Sequence, residues 1–154
     1  MQQFKGLSPL DMAVENNHKD IVKILLERGA FVNNGDVPYN NTPFHTAASN
    51  GNAFIVGLLL QHKANVNARR NDGLTPLHFA AEGGHADIVD LLLQNGALAD
   101  SRDVTGSTAL HIAALHGHQQ VALLRKGAQV DSKNNSNFTP LHIKLAMRKL
   151  FKCC

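Results

Sequence analysis

Residues 75–97 read TPLHFAAEGGHADIVDLLLQNGA, and this stretch carries the signals of two short helices in a fixed order. Thr75 can cap a helix through its hydroxyl, and Pro76 suits the first helical position, where the backbone N–H needs no partner. Ala80 and Ala81 give that helix a small face able to approach its neighbours closely, and Gly83-Gly84 stops it. Asp87 places an acid near the start of a second helix, where the helix dipole favours negative charge. Ile88, Val89, Leu91, Leu92 and Leu93 form a broad apolar stripe on this second helix. Gly96 ends it in the left-handed conformation that glycine adopts freely. The polar stretch 98–107 is rich in turn formers and reads as an extended connection.

The same phrases return along the chain. Ser8-Pro9-Leu10-Asp11, Thr42-Pro43-Phe44-His45, Thr75-Pro76-Leu77-His78, Thr108-Ala109-Leu110-His111 and Thr139-Pro140-Leu141-His142 are spaced by 34, 33, 33 and 31 residues. Gly29-Ala30, Lys63-Ala64, Gly96-Ala97 and Gly127-Ala128 keep step with them. So do Asn17-His18, Gly51-Asn52, Gly84-His85 and Gly117-His118. Three markers in one phase define a repeat. Each helix of the unit has two to three turns, under the roughly 12–15 residues an isolated helix needs in water. A single copy therefore cannot bury its stripe, and stability must come from stacking copies on one another.

With its T-P-L-H-x-A-A, G-H and L-L-L-x-x-G-A phrases, the chain resembles the ankyrin-repeat family over about residues 5–143. The resemblance implies an all-α solenoid of stacked helix–turn–helix units joined by β-hairpin-like loops. It also implies hydrogen bonds between the threonine and histidine of the phrase: Thr42 with His45, Thr75 with His78, Thr108 with His111, and Thr139 with His142. The repeats span about 4–36, 37–69, 70–102, 103–133 and a partial 134–143, which makes 1–143 one domain and 144–154 a basic C-terminal tail.

Departures from the pattern carry their own expectations. Repeat one has Asp11 in place of His and Asn17 in place of Gly, as a polar end unit requires, although an internal unit of a longer protein would serve equally. Lys63 stands at a glycine position, and left-handed geometry there costs on the order of 1 kcal/mol. One inserted residue between Ala30 and Thr42 enlarges the loop that holds Pro38 and Tyr39. Repeat four lacks two residues between His118 and Gly127. That corresponds to about 200° of helix rotation and predicts a shortened or distorted helix over 119–125. Repeat five places Lys144-Leu145 where a small pair is expected and has no second helix of normal pattern.

Composition and charge narrow the function. Residues 1–143 hold 11 Lys or Arg against 12 Asp or Glu, so the basic excess comes wholly from Lys144, Arg148, Lys149 and Lys152. A body without a basic face argues against nucleic-acid binding. Four of the nine histidines belong to the T-P-L-H phrase and three to the corner, which leaves His62 and His116. The spacing of His111, His116 and His118 does not match a helical zinc-binding pair, so no metal site is expected. No nucleophile elbow, phosphate loop or dinucleotide fingerprint is present, and neither an enzyme nor a bound cofactor is expected. The first nine residues lack the pattern of a signal peptide, and the longest apolar runs, such as 54–60, fall short of a membrane span. The two cysteines are adjacent, so no disulfide framework forms, and a reducing cytoplasmic setting is expected. The glycosylation-type triplets at Asn40, Asn134 and Asn137 are discounted for lack of a secretion signal.

The function expected is that of a monomeric interaction module that binds a protein partner and no small-molecule substrate. In the family, partners lie along the concave face, built from hairpin tips and first helices. On matching positions this gives Tyr39, Asn41, Ser49 and Asn50 in repeat two, and Arg69, Asn71, Asp72, Leu74 and Glu82 in repeat three. Repeat four gives Arg102, Val104, Thr105, Ser107, Leu115 and His116. Tyr39, Arg69 and Leu74 are the expected anchors, because aromatic and Arg side chains concentrate binding energy. The alternative is a membrane tether. Leu145, Met147, Leu150 and Phe151 interleave with the basic residues, and Cys153 and Cys154 offer lipidation sites, the second signal that stable anchoring requires.

Overall fold

The computed structural model describes residues 6–118 and 127–151, which are helical with no strand assigned among them. The helices come in pairs. Repeat one supplies α1 (Pro9–Glu15) and α2 (Lys19–Glu27), and repeat two α3 (Pro43–Asn50) and α4 (Ala53–Gln61). Repeat three supplies α5 (Pro76–Glu82) and α6 (Ala86–Gln94). Then come α7 (Ala109–Leu115), which opens repeat four, and α8 (Pro140–Phe151), which opens repeat five. The two-residue deletion between His118 and Gly127, and with it the distorted helix expected over 119–125, lies outside the described residues.

Local chemistry explains where each helix starts and stops. Ser8, Thr42, Thr75 and Thr108 are extended N-caps, and Pro9, Pro43 and Pro76 follow them at the start of the helix. The corner between paired helices needs a left-handed residue, and Asn17, Gly51, Gly84 and Gly117 all have φ between +56° and +74°. At Gly51 a second constraint applies: a Cβ there would sit 2.6 Å from the ring of His85 in the next repeat. Second helices end on Gly29, Lys63 and Gly96, again left-handed, at φ of +85°, +62° and +91°.

The core is made between units. The alanine pairs Ala47-Ala48, Ala80-Ala81 and Ala113-Ala114 are buried, and so are Phe44, Leu77 and Leu110. Ile55, Leu59, Ile88 and Leu92 of the second helices pack into the same continuous cluster. The row α1, α3, α5, α7 and α8 packs more closely, neighbour on neighbour, than the row α2, α4, α6. Alanine on the first helices is the reason, and the unequal spacing curves the stack with the first helices on its inner side.

The connections are hairpins of turn length. The ends of each are joined by a backbone bond: Asp36 N–H to the Asn41 carbonyl (2.9 Å), Arg70 to Leu74 (2.9 Å), Asp103 to Ser107 (3.0 Å) and Asn134 to Phe138 (3.0 Å). Neighbouring tips join edge to edge, through Asn71 N–H to the Tyr39 carbonyl (2.9 Å), Val104 to Asp72 (3.0 Å) and Asn135 to Thr105 (2.9 Å). A single rung per contact is too short to count as a strand, yet it sets the hairpins in a row.

Helix α8 differs from the other first helices. It runs for 12 residues against 7 or 8, because Arg148 stands at the position that holds the corner Asn or Gly elsewhere and nothing breaks the helix. It continues through the basic segment as far as Phe151.

Candidate protein-interaction surface

The histidines come first, because nine of them invite a chemical role. In repeat two, the backbone N–H of Thr42 donates to His45 Nδ1 at 3.1 Å. The ring proton therefore lies on Nε2, which donates to the Ala68 carbonyl of the next repeat at 3.0 Å. His78 and His111 repeat the arrangement, reaching Ser107 (3.2 Å) and Phe138 (2.9 Å). Thr139 and His142 form the same local pair. The four threonine–histidine pairs implied by the resemblance are all formed. Burial pushes His45 down to about 4 and lowers His78 and His111 in the same direction. Protonation would also set an N–H at Nδ1 against the donating backbone N–H. These rings are neutral struts.

The corner histidines tie in the opposite sense. His85 Nε2 lies 3.0 Å from the Ser49 carbonyl and His118 Nε2 2.8 Å from the Glu82 carbonyl, each in the preceding repeat. His116 lies 3.9 Å from Glu82, stacks on His118 and contacts the Ile112 carbonyl through Nδ1 at 3.0 Å. Among the described residues no group of three or more His, Cys, Asp or Glu is placed to hold a metal ion.

Several expected surface residues are engaged in the framework. Arg69 donates to the Arg102 carbonyl at 2.7 Å, and Arg102 donates to the Gly106 and Lys133 carbonyls at 2.8 and 2.7 Å. Asn71 donates through Nδ2 to the Pro38 carbonyl. Asn50 reaches back to the carbonyls of Val14 and Glu15 at 3.2 and 3.3 Å. Asp72 accepts from Leu74 N–H at 3.2 Å and pairs with Arg70 at 3.0 Å. Thr105 and Ser107 gather around the Asp103 carboxylate, and Asn41 donates to Thr46 at 2.9 Å. The side chains of Ser49, Glu82, Val104 and Leu115 are exposed, Leu74 is half-buried, and Tyr39 is exposed at a hairpin tip.

One cluster was not legible as a site. The Arg70 guanidinium sits 5.2 Å from the centroids of both the Tyr39 and Phe79 rings, and Phe79 meets the His45 ring edge-on at 5.8 Å. Its Nε is buried without a hydrogen-bond partner. This stack joins two hairpins to the inner face of α5. The signal that would have found it is the fourth position after each cap: Met12, Thr46, Phe79, Ile112 and Ile143. That position lies one turn before Ser49, Glu82 and Leu115, on the same helix face. Phe79 and Ile112 belong with Leu115 for that reason.

The other hollows offer less chemistry. A cavity of about 220 Å3 beside repeat one is walled mainly by apolar side chains, among them Pro9, Leu10, Leu25 and Phe31, and has no titratable side chain in its lining. No helix among the described residues is long and apolar enough to cross a membrane. Cys153 and Cys154 lie outside the described residues.

The repeat framework, with its helix pairs, capping histidines and hairpin row, agrees with comparison to known proteins. A family profile described as ankyrin repeats (three copies) matches residues 10–103, and a further single ankyrin repeat matches residues 105–135. The chain belongs to the ankyrin-repeat family. Ankyrin repeats generally serve as protein–protein interaction modules. An ankyrin repeat protein of fowlpox virus (strain NVSL) is 40% identical over 70 residues, which is 46% of this chain and 20% of the viral protein. The B-cell lymphoma 3 protein homolog of Mus musculus is 37% identical over 73 residues, 47% of this chain and 16% of its own length. A BTB/POZ domain and ankyrin repeat-containing protein of Lotus japonicus is 46% identical over 67 residues, 43% of this chain and 14% of its own length. The match therefore spans a fifth or less of these relatives.

Proposed function

We propose that this ankyrin-repeat chain binds a partner protein along the inner side of its stack and performs no chemistry on it. The supporting observation is the row formed by Tyr39, Phe79, Val104, Ile112 and Leu115, apolar or aromatic groups set on hairpin tips and first helices. Tyr39, Val104 and Leu115 are exposed, and none of the three makes a side-chain hydrogen bond among the described residues. Framework positions are spent on stacking, so recognition falls to side chains left over. Tyr39 and Leu74 keep their place as anchors. Arg69 acts first as a strap between hairpins, and Arg70, held between two rings, takes over as the cation of the surface. The polar candidates Asn41, Ser49, Asn50, Asn71, Asp72, Glu82, Arg102, Thr105, Ser107 and His116 form a rim of near-neutral contacts around it.

A rigid, preformed surface loses little freedom on binding, which favours affinity. The test is affinity capture with the wild-type chain and with the triple variant Tyr39→Ala/Val104→Asp/Leu115→Asp, read by quantitative mass spectrometry. All three side chains are exposed, so circular dichroism should report an unchanged fold. Proteins retained by the wild type should be depleted about tenfold or more with the variant. Equal recovery from both would remove the inner face as the binding surface.

A further inference from the structure

Helix α8 leaves uncovered a face that every other first helix buries. Leu141 is 60% exposed, while the residues in the same register, Leu10, Phe44, Leu77 and Leu110, are 0–2% exposed. Lys144 and Leu145 occupy the positions of Ala13-Val14, Ala47-Ala48, Ala80-Ala81 and Ala113-Ala114, all buried, and are themselves exposed. Arg148 stands where the others turn the corner into a second helix. Leu141, Lys144, Leu145 and Arg148 fall at i, i+3, i+4 and i+7, a single helix face. The opposite side, with Ile143 and Met147 half-buried, is the one turned toward the stack, where α8 packs on α7.

Two features say what covers this face. In the complete units Leu10, Phe44 and Leu77 are covered by the apolar stripe of a second helix, α2, α4 or α6, so continuity with that packing calls for a helix. The charges say which kind. Lys144, Arg148 and Lys149 have no ion-pair partner among the described residues, and α8 carries no acid. A plain repeat, with an alanine-rich face, would have to bury those cations unpaired, at a large desolvation cost. We propose that α8 is a berth for an amphipathic helix of a partner protein, with an apolar stripe seated on Leu141 and Leu145 and flanking Asp or Glu paired with Lys144 and Arg148. The surface is separate from the inner face, so the chain would hold two partners at once.

A labelled peptide with the sequence of residues 84–97, which carries the α6 stripe together with Asp87 and Asp90, serves as the probe. Fluorescence anisotropy against the full chain should show saturable binding. The same segment joined by a flexible linker after Cys154 should raise the melting temperature, because tethering supplies an effective concentration in the millimolar range. Leu141→Asp, a change at an exposed site, should weaken both effects about tenfold or more without altering the circular dichroism of the untethered chain. A peptide with Asp87→Lys and Asp90→Lys should bind about tenfold more weakly, and the difference should shrink at high salt. Vesicles of phosphatidylcholine with and without phosphatidylserine form the last arm, and flotation should be negligible for the wild type. The proposal is overturned by equal binding of the two peptides or by insensitivity to Leu141→Asp. It is equally overturned by no effect in either format, or by phosphatidylserine-dependent flotation that Leu141→Asp abolishes, which would make the face a lipid-binding one.

Discussion

At the residue scale, the histidines of the T-P-L-H phrase do two jobs with one ring. Nδ1 caps its own helix by accepting a backbone N–H, which requires the neutral form, and Nε2 donates to the next hairpin. In repeat one, Asp11 receives the Ser8 N–H at 2.8 Å and so caps α1, but a carboxylate has no second donor to reach repeat two. The lowered histidines set a direction for acid stability. Their folded values lie below the unfolded value of about 6.5, so the unfolded chain takes up protons that the folded chain refuses. Stability is full above that value and falls as pH drops. For His45 the window runs from 6.5 to about 4, worth about 3 kcal/mol across it. Urea titrations between pH 7 and pH 4 should show this loss, and His45→Gln, which keeps a capping box, should flatten it by about one proton. Lys63 offers a second prediction, since its side chain sits in left-handed backbone at φ +62°. Lys63→Gly should raise stability by on the order of 1 kcal/mol, and Asn17→Gly by less, because Asn tolerates that region. A thermal melt of each variant checks the ranking.

At the element scale, the same residue in the same register has different weight depending on what lies before it. Ile21 in α2 and Ile55 in α4 are equivalent, yet Ile21 is 49% exposed and Ile55 is fully buried. Ile55→Ala should cost about 2–5 kcal/mol through lost transfer energy and the cavity left behind. Ile21→Ala should cost under about 1 kcal/mol, because much of its surface already meets water. Chemical denaturation of both variants measures the contrast, and equal losses would mean that the stack is not what buries these stripes. The second-helix stripe was legible from its spacing. Which of its residues are buried was not, because exposure is set by the adjoining unit. The basic tail shows the same limit. Its residues read as a separate segment, but no glycine interrupts them, and residues 144–151 continue α8.

At the scale of the molecule, stability is a sum over units and the interfaces between them, and no unit is complete alone. The contacts that cross from one repeat to the next are the Ala-rich packing of first helices, the two sets of histidine straps and the hairpin row. A chain cut to residues 1–69 keeps two repeats and a single interface, below the three or so that such arrays need. Far-ultraviolet circular dichroism should show it largely unfolded at 25 °C. A chain of residues 1–118, with three complete units and α7, should keep most of its helical signal.

The sequence alone determined the repeat, its phase and its helix ends, because these depend on capping, glycine and short-range spacing that a reader can count. The threonine–histidine pairs came from the family resemblance that those phrases carry, and the structure forms all four. Only the tertiary structure decided how side chains on different repeats share their work. Arg69 and Arg102, readable as free cations, are bound to carbonyls 33 and 31 residues away. Arg70, not singled out in the sequence, is the one held between two rings. The irregular pattern after Leu141 marked repeat five as incomplete, but the exposure of Leu141 and Leu145 was settled only in space, since a leucine that packs and a leucine that waits are written alike.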